Sequence, residues 1–145
     1  MIGLIQRVKS AQVSVDNTII SQINSGILLL LGVEKGDTNT HAKTMANKVS
    51  KLRIFADAND KMNLSLSDVA GDLLVVSQFT LAADVKKGNR PGFSNAAAHE
   101  SGEMLYHYFI EYYQTNIGRC HQGQYGANME VSLVNDGPAT FYLKI

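Results

Sequence analysis

The stretch LLVVSQFTL at residues 73–81 constrains the fold more than any other part of the chain. Leu73, Leu74, Val75 and Val76 form the unbroken apolar run of a strand covered on both faces, since alternation disappears when neither side meets water. A second run, ILLLL at 27–31, asks for the same double burial. Neither approaches the roughly 20 residues needed to cross a bilayer, so both belong to a folded core. At Ser77 the first run changes character. Ser77, Gln78 and Thr80 can all hydrogen-bond, and such groups are costly to bury without partners. They mark either a ledge facing a cleft, a ligand or another chain, or a strand end whose hydroxyls bond to nearby backbone.

The remaining segments supply neighbours for that strand. Ile2, Leu4, Gln6, Val8, Val13 and Val15 alternate as a half-buried strand. Asp16-Asn17 offers turn chemistry before Ile19, Ile20 and Ile23, which predicts an N-terminal hairpin. Asn24-Ser25-Gly26 turns the chain into the central run at 27–31. Ala42, Met45, Ala46, Val49 and Leu52 then fall at helical spacing, with Thr38 or Asn39 placed to cap the first turn. Extended structure is expected at 53–55, a turn at 57–61 and a polar connection over 62–71. A second helix is predicted over 95–117, where Met104, Leu105, Tyr108, Phe109, Tyr112 and Tyr113 form an apolar stripe and Gly118 is the stop. Met129, Val131 and Leu133 alternate as a strand, Asn135-Asp136-Gly137-Pro138 breaks it, and Phe141, Leu143 and Ile145 alternate again. The class read from this order is α+β, with a mostly antiparallel sheet or barrel-like core and two main packing helices in one domain over 1–145.

Charge and cysteine content exclude several function classes. Lys plus Arg and Asp plus Glu are 13 each, so no global basic field advertises nucleic-acid binding, and any RNA contact must come from a local patch. The one basic cluster is the loop at 82–94, with Lys86, Lys87 and Arg90. A single cysteine, Cys120, forms no internal disulfide and fits a reducing cytoplasm, and the N-terminal pattern is not that of a signal peptide. The motifs GxSxG, GxGxxG and HExxH are absent, as is a P-loop. The four histidines lack metal-ligand spacing, so neither a metal nor another cofactor is expected. Cys120 and His121 would point to opposite faces of a strand and make a poor nucleophile pair. An enzyme built from this chain works with backbone donors, hydroxyls, an amide and water.

One more stretch stands out. Pro138, one of two prolines, follows Gly137 between two strand patterns, where a plain connecting turn and a cis bond are both available. Together, VVSQFTL at 75–81, RPGFS at 90–94 and VSLVNDGPAT at 131–140, with IQRV at 5–8 and KMNLS at 61–65, closely resemble the D-aminoacyl-tRNA deacylases along essentially the whole chain. The resemblance implies a homodimer in which Gly137-Pro138, as a Gly-cis-Pro turn, enters the partner's active site beside Ser77, Gln78, Phe79 and Thr80. It implies that main-chain carbonyls of the turn face the substrate's α-centre and exclude L-side chains, with Arg7 holding the turn. The implied substrate is a D-amino acid, or achiral glycine, esterified to the terminal adenosine of tRNA, with neither DNA nor membrane as a partner. Amides of Phe79 and Thr80 would then stabilise the tetrahedral oxyanion, while Gln78 orients substrate or water and Phe79 walls the pocket.

For the proton acceptor, either Thr80 acts as nucleophile or the terminal 2′-hydroxyl of the tRNA assists. The second is preferred, because a threonine with no neighbouring base is a weak nucleophile. Lys86, Lys87 and Arg90 are candidates for acceptor-stem phosphates, and Tyr125 and Met129 for the adenosine pocket. Gln124-Tyr125 stands where the family often has Arg-Phe, Gly92 where it commonly has Ser, and Ala139 where it has Val. A noncatalytic RNA-binding module and an esterase acting on small activated esters through Thr80 are the competing readings; the intact SQFT and NDGP favour the deacylase.

Overall fold

The computed structural model describes residues 1–86 and 88–145. Its spine is β1 (Ile2–Val15), which pairs antiparallel with β2 (Thr18–Ile23), β3 (Gly26–Gly32) and the long C-terminal β8 (Glu130–Lys144). The hairpin expected at Asp16-Asn17 is present, both residues taking positive φ (49° and 61°), as a tight turn between twisted strands requires. On the far side of β3 lies β6 (Asp72–Ser77), followed by the short β7 (Cys120–Gln122). Both of those pairings are parallel, so the sheet is mixed, a detail the local alternation of the sequence did not carry. A separate two-stranded ribbon joins β4 (Phe55–Ala56) to β5 (Met62–Leu64).

The two apolar runs are explained by two cores. Ile27, Leu29, Leu31, Leu73 and Val75 pack beneath α1 (Asn39–Lys51) and α2 (His99–Asn116), while Leu28, Leu74 and Val76 face a second cluster with Val8, Ala11, Val13 and Ile23. Burial of each such side chain contributes about 1.5–3 kcal/mol, so a strand clad on both faces is anchored far more firmly than an edge strand. Thr38 starts α1 in extended conformation, and its amide donates to His41 Nδ1 at 3.0 Å.

Two expectations are corrected. The buried stripe of α2 is Leu105, Tyr106, Phe109, Ile110 and Tyr113; Met104 is 61% exposed, and Tyr108 and Tyr112 are half-buried. Tyr106 takes the inner place because its hydroxyl donates to Val75 O at 2.8 Å, so its own polar atom is satisfied beneath β6. Tyr106→Phe is accordingly expected to lower stability by about 1–2 kcal/mol, or roughly 3–6 °C in Tm by thermal denaturation, with the circular-dichroism spectrum unchanged. Second, Asn135-Asp136-Gly137-Pro138 does not end a strand. β8 runs through it because β1 continues opposite: Gln6 pairs with Thr140 and Val8 with Asn135, so residues 136–139 bulge out against Arg7 alone.

Candidate functional site

A cleft of about 520 Å³ opens where β3 and β6 finish side by side, Leu31 being aligned with Ser77. The carboxyl ends of parallel strands are where sheets of this kind leave a crevice for ligands. One wall is Ser77, Gln78 and Phe79; the others are the start of α2, with Ala97, His99 and Gly102, and the segment after β7, with Tyr125 and Met129. The candidate ledge and the candidate adenosine residues therefore meet in one cavity. Its volume is that of a small-ligand site, roughly 300–1,000 Å³. A smaller hollow of about 320 Å³ between residues 66–71 and the end of α2 contains none of the sequence-predicted site residues.

The ledge is made by a change of backbone. β6 stops at Ser77, the Gln78 amide donates to Leu31 O at 2.8 Å, and Phe79–Ala82 winds into a single 3₁₀ turn. The turn's first backbone bond runs from the Leu81 amide to Gln78 O at 3.2 Å, so the Phe79 and Thr80 amides have no partner among the described residues. Gln78 Nε2 donates to Thr80 Oγ1, which ties the two polar side chains together. Thr80 is exposed and not itself part of the cleft wall. Phe79 is 56% exposed and leans on Phe93 at 5.1 Å between ring centroids.

Phe93 ends the basic loop, which is pinched shut by paired backbone bonds between Asp84 and Gly92 at 2.7 and 2.9 Å. Lys86 and Arg90 are exposed on that loop and do not line the cleft, and Lys87 lies outside the described residues.

The second motif is built from both ends of the chain. The Gly137-Pro138 bond is cis, Gly137 has φ +129°, and both residues are exposed. Arg7 sits opposite the bulge. Its guanidinium donates to Asp136 O at 3.0 Å and to Ile54 O, and pairs with the Asp136 carboxylate at 3.2 Å. Asn135, which sequence reasoning gave no role, braces the turn from inside: the Ala139 amide donates to Asn135 Oδ1 at 2.7 Å, and Asn135 Nδ2 donates to Thr140 Oγ1 at 3.0 Å.

These two halves do not meet within one chain. Arg7 is level with Ile27 and, across β3, with Leu73, four residues before Ser77, while β8 is three strand intervals from β6. At about 3.3 Å per residue and about 4.8 Å per strand, the turn lies roughly 20 Å from its own ledge.

Among the described residues the cleft's lining carries no carboxylate and no thiol; its ionisable groups are the His99 imidazole and the Tyr125 phenol, and burial and then the Glu103 charge push the phenol up. Cys120 is enclosed elsewhere, and burial pushes its thiol up to about 12, which leaves it protonated and inert. His99 and Gly102 were also missed as cleft residues. The available signal was Gly102 itself, since glycine inside a helix is unfavourable without a packing reason. Among the described residues no helix is long and apolar enough to cross a membrane.

Residues 4–144 match the family model described as D-Tyr-tRNA(Tyr) deacylase. A D-aminoacyl-tRNA deacylase of Pseudoalteromonas atlantica is 55% identical over all of both chains. Among solved structures, one described as the c-Myc DNA Unwinding Element Binding Protein superposes with a TM-score of 0.95 at 38% identity, covering 100% of this chain and 99% of that one. A probable eukaryotic D-amino acid tRNA deacylase superposes with a TM-score of 0.78 at 16% identity over 98% of each chain, a likeness of fold.

Proposed function

The chain belongs to the D-Tyr-tRNA(Tyr) deacylase family, and from that premise we propose that it hydrolyses the ester of D-aminoacyl-tRNA, releasing free D-amino acid and tRNA. The observation that carries the reading is the single cleft joining Ser77, Gln78 and Phe79 to Tyr125 and Met129. A tRNA 3′ end laid along it has its terminal base against Tyr125 and Met129 and its ester carbonyl beside the free amides of Phe79 and Thr80. An aminoacyl ester is already activated, so positioning and oxyanion stabilisation supply most of what hydrolysis needs. Loss of one such donor typically lowers a rate by about 100- to 1,000-fold.

With no carboxylate or thiol in the lining, the proton acceptor in this scheme is the substrate's own 2′-hydroxyl, with Gln78 orienting water or substrate. The protein acts as a homodimer in the cytoplasm, one domain per chain, each cleft completed by the partner's copy of the Gly-Pro turn. The long separation of turn and ledge within one chain supports this arrangement. Exposed carbonyls of the turn then stand against the substrate's α-centre, accepting a D-residue or glycine and clashing with an L-side chain, while Lys86, Lys87 and Arg90 meet acceptor-stem phosphates.

The test uses purified protein with chelator present and D-Tyr-tRNA and L-Tyr-tRNA in parallel. Tyrosine is expected to be released from the D-ester while the L-ester stays largely intact. Equal hydrolysis of both would remove the chirality filter.

A further inference from the structure

We propose that Gly102 is a positioning residue for the nucleotide end of the substrate, acting by leaving the slot that holds the Tyr125 hydroxyl. The inference rests on the reading above, in which Tyr125 lies against the terminal adenosine. Gly102 is buried near the start of α2 and its amide donates to Ala98 O at 2.8 Å, an ordinary helical bond. Alanine is the better helix former, so a side-chain neighbour and not the backbone must account for glycine here. That neighbour is Tyr125. A Cβ on Gly102 would overlap Tyr125 Oη and stand 3.5 Å from its Cζ.

The ring has little freedom to step aside. Tyr125 Oη donates to His99 O at 3.3 Å. The His99 ring meets Tyr125 edge-on at 5.2 Å and 77°, and the Tyr106 ring is 5.5 Å away, tilted by 45°. Tyr106 cannot yield, because it is 1% exposed and bonded to Val75 O. The open side is the cleft, which both Gly102 and Tyr125 line. A methyl group at 102 therefore drives the ring into the space where the nucleotide sits, while the ledge at Ser77, Gln78 and Phe79, on the opposing wall, keeps its geometry. Binding suffers and chemistry does not.

The experiment compares wild type, Gly102→Ala, Tyr125→Phe and the double variant in steady-state hydrolysis of D-Tyr-tRNA, with a thermal melt of each. Gly102→Ala is expected to raise KM roughly tenfold, with kcat within about twofold, since a wall displaced by about 1 Å is enough for such losses. Tyr125→Phe alone should shift KM by no more than about threefold, the loss of one long hydrogen bond. The double variant should return to the KM of Tyr125→Phe, because removing the hydroxyl empties the slot. Its Tm should exceed that of Gly102→Ala, since alanine's helix preference is then unopposed.

The proposal is overturned if Gly102→Ala leaves KM unchanged, or if the double variant keeps the KM of Gly102→Ala. If Gly102→Ala melts too early for kinetics, the double variant must recover both folding and KM, and failure to do so overturns it equally. A wild-type protein inert towards D-Tyr-tRNA refutes the deacylase reading instead, and the relative Tm values still decide whether the slot exists.

Discussion

Gly137→Ala is expected to lower kcat/KM for D-Tyr-tRNA by roughly 100-fold or more, the scale on which misplacement by about 1 Å disables a reaction. Two independent features of the turn lead there. Gly137 holds φ at +129°, where an L-residue is strained by about 1–3 kcal/mol. A Cβ would also come within 2.9 Å of Arg7 Nη2. The guanidinium has no easy retreat, since Ile54 O, Asp136 O and the Asp136 carboxylate all hold it. Either the turn or its anchor must move, and the turn's carbonyls, which the proposed function sets against the substrate, move with it. Steady-state hydrolysis and a thermal melt separate the two consequences: a modest fall in Tm with a large fall in activity is expected. Activity retained within a few-fold would place the turn outside the site.

A substrate ending in 2′-deoxyadenosine is expected to be turned over about 10²–10⁴-fold more slowly, the usual contribution of general acid–base catalysis. Thr80→Ala on the normal substrate should stay within about tenfold of wild type, since one side-chain hydrogen bond is at stake. The grounds are structural: Thr80 is exposed, lies off the cleft wall and has its hydroxyl engaged by Gln78, with no base beside it. Backbone amides, which an alanine leaves in place, are what this segment offers. Single-turnover release of labelled tyrosine measures both. The reverse pattern, an active deoxy substrate and a dead Thr80→Ala enzyme with unchanged tRNA binding, would transfer the chemistry to threonine.

How much of this could be read beforehand varies with the range of the interaction involved. Residues 27–31 and 73–76 announced their double burial because an apolar run records the absence of water on both faces. Asp16-Asn17 announced a hairpin because the turn chemistry is local. The parallel pairing of β3 with β6 was not legible, since nothing in either run encodes its partner's direction. Nor was the continuity of β8 through Gly137-Pro138, which depends on Arg7 from the other end of the chain. Within the site, residues 77–80 were visible as polar groups interrupting an apolar run. Their backbone was not: a 3₁₀ turn with two free amides leaves no mark in residue types. His99 and Gly102 escaped notice because a helix stripe reports what faces the core, and these residues face the end of the sheet.

Arg7 also binds Ile54 O, in the connector that leaves α1, a segment with no place in the cleft. The same guanidinium thus couples the seat of a packing helix to the bearing of an exposed turn. In the proposed dimer, substitutions around residues 52–55 would act as a remote adjustment, re-aiming that turn and with it the stereochemical preference of the partner's cleft, while every residue lining either cleft stays unaltered.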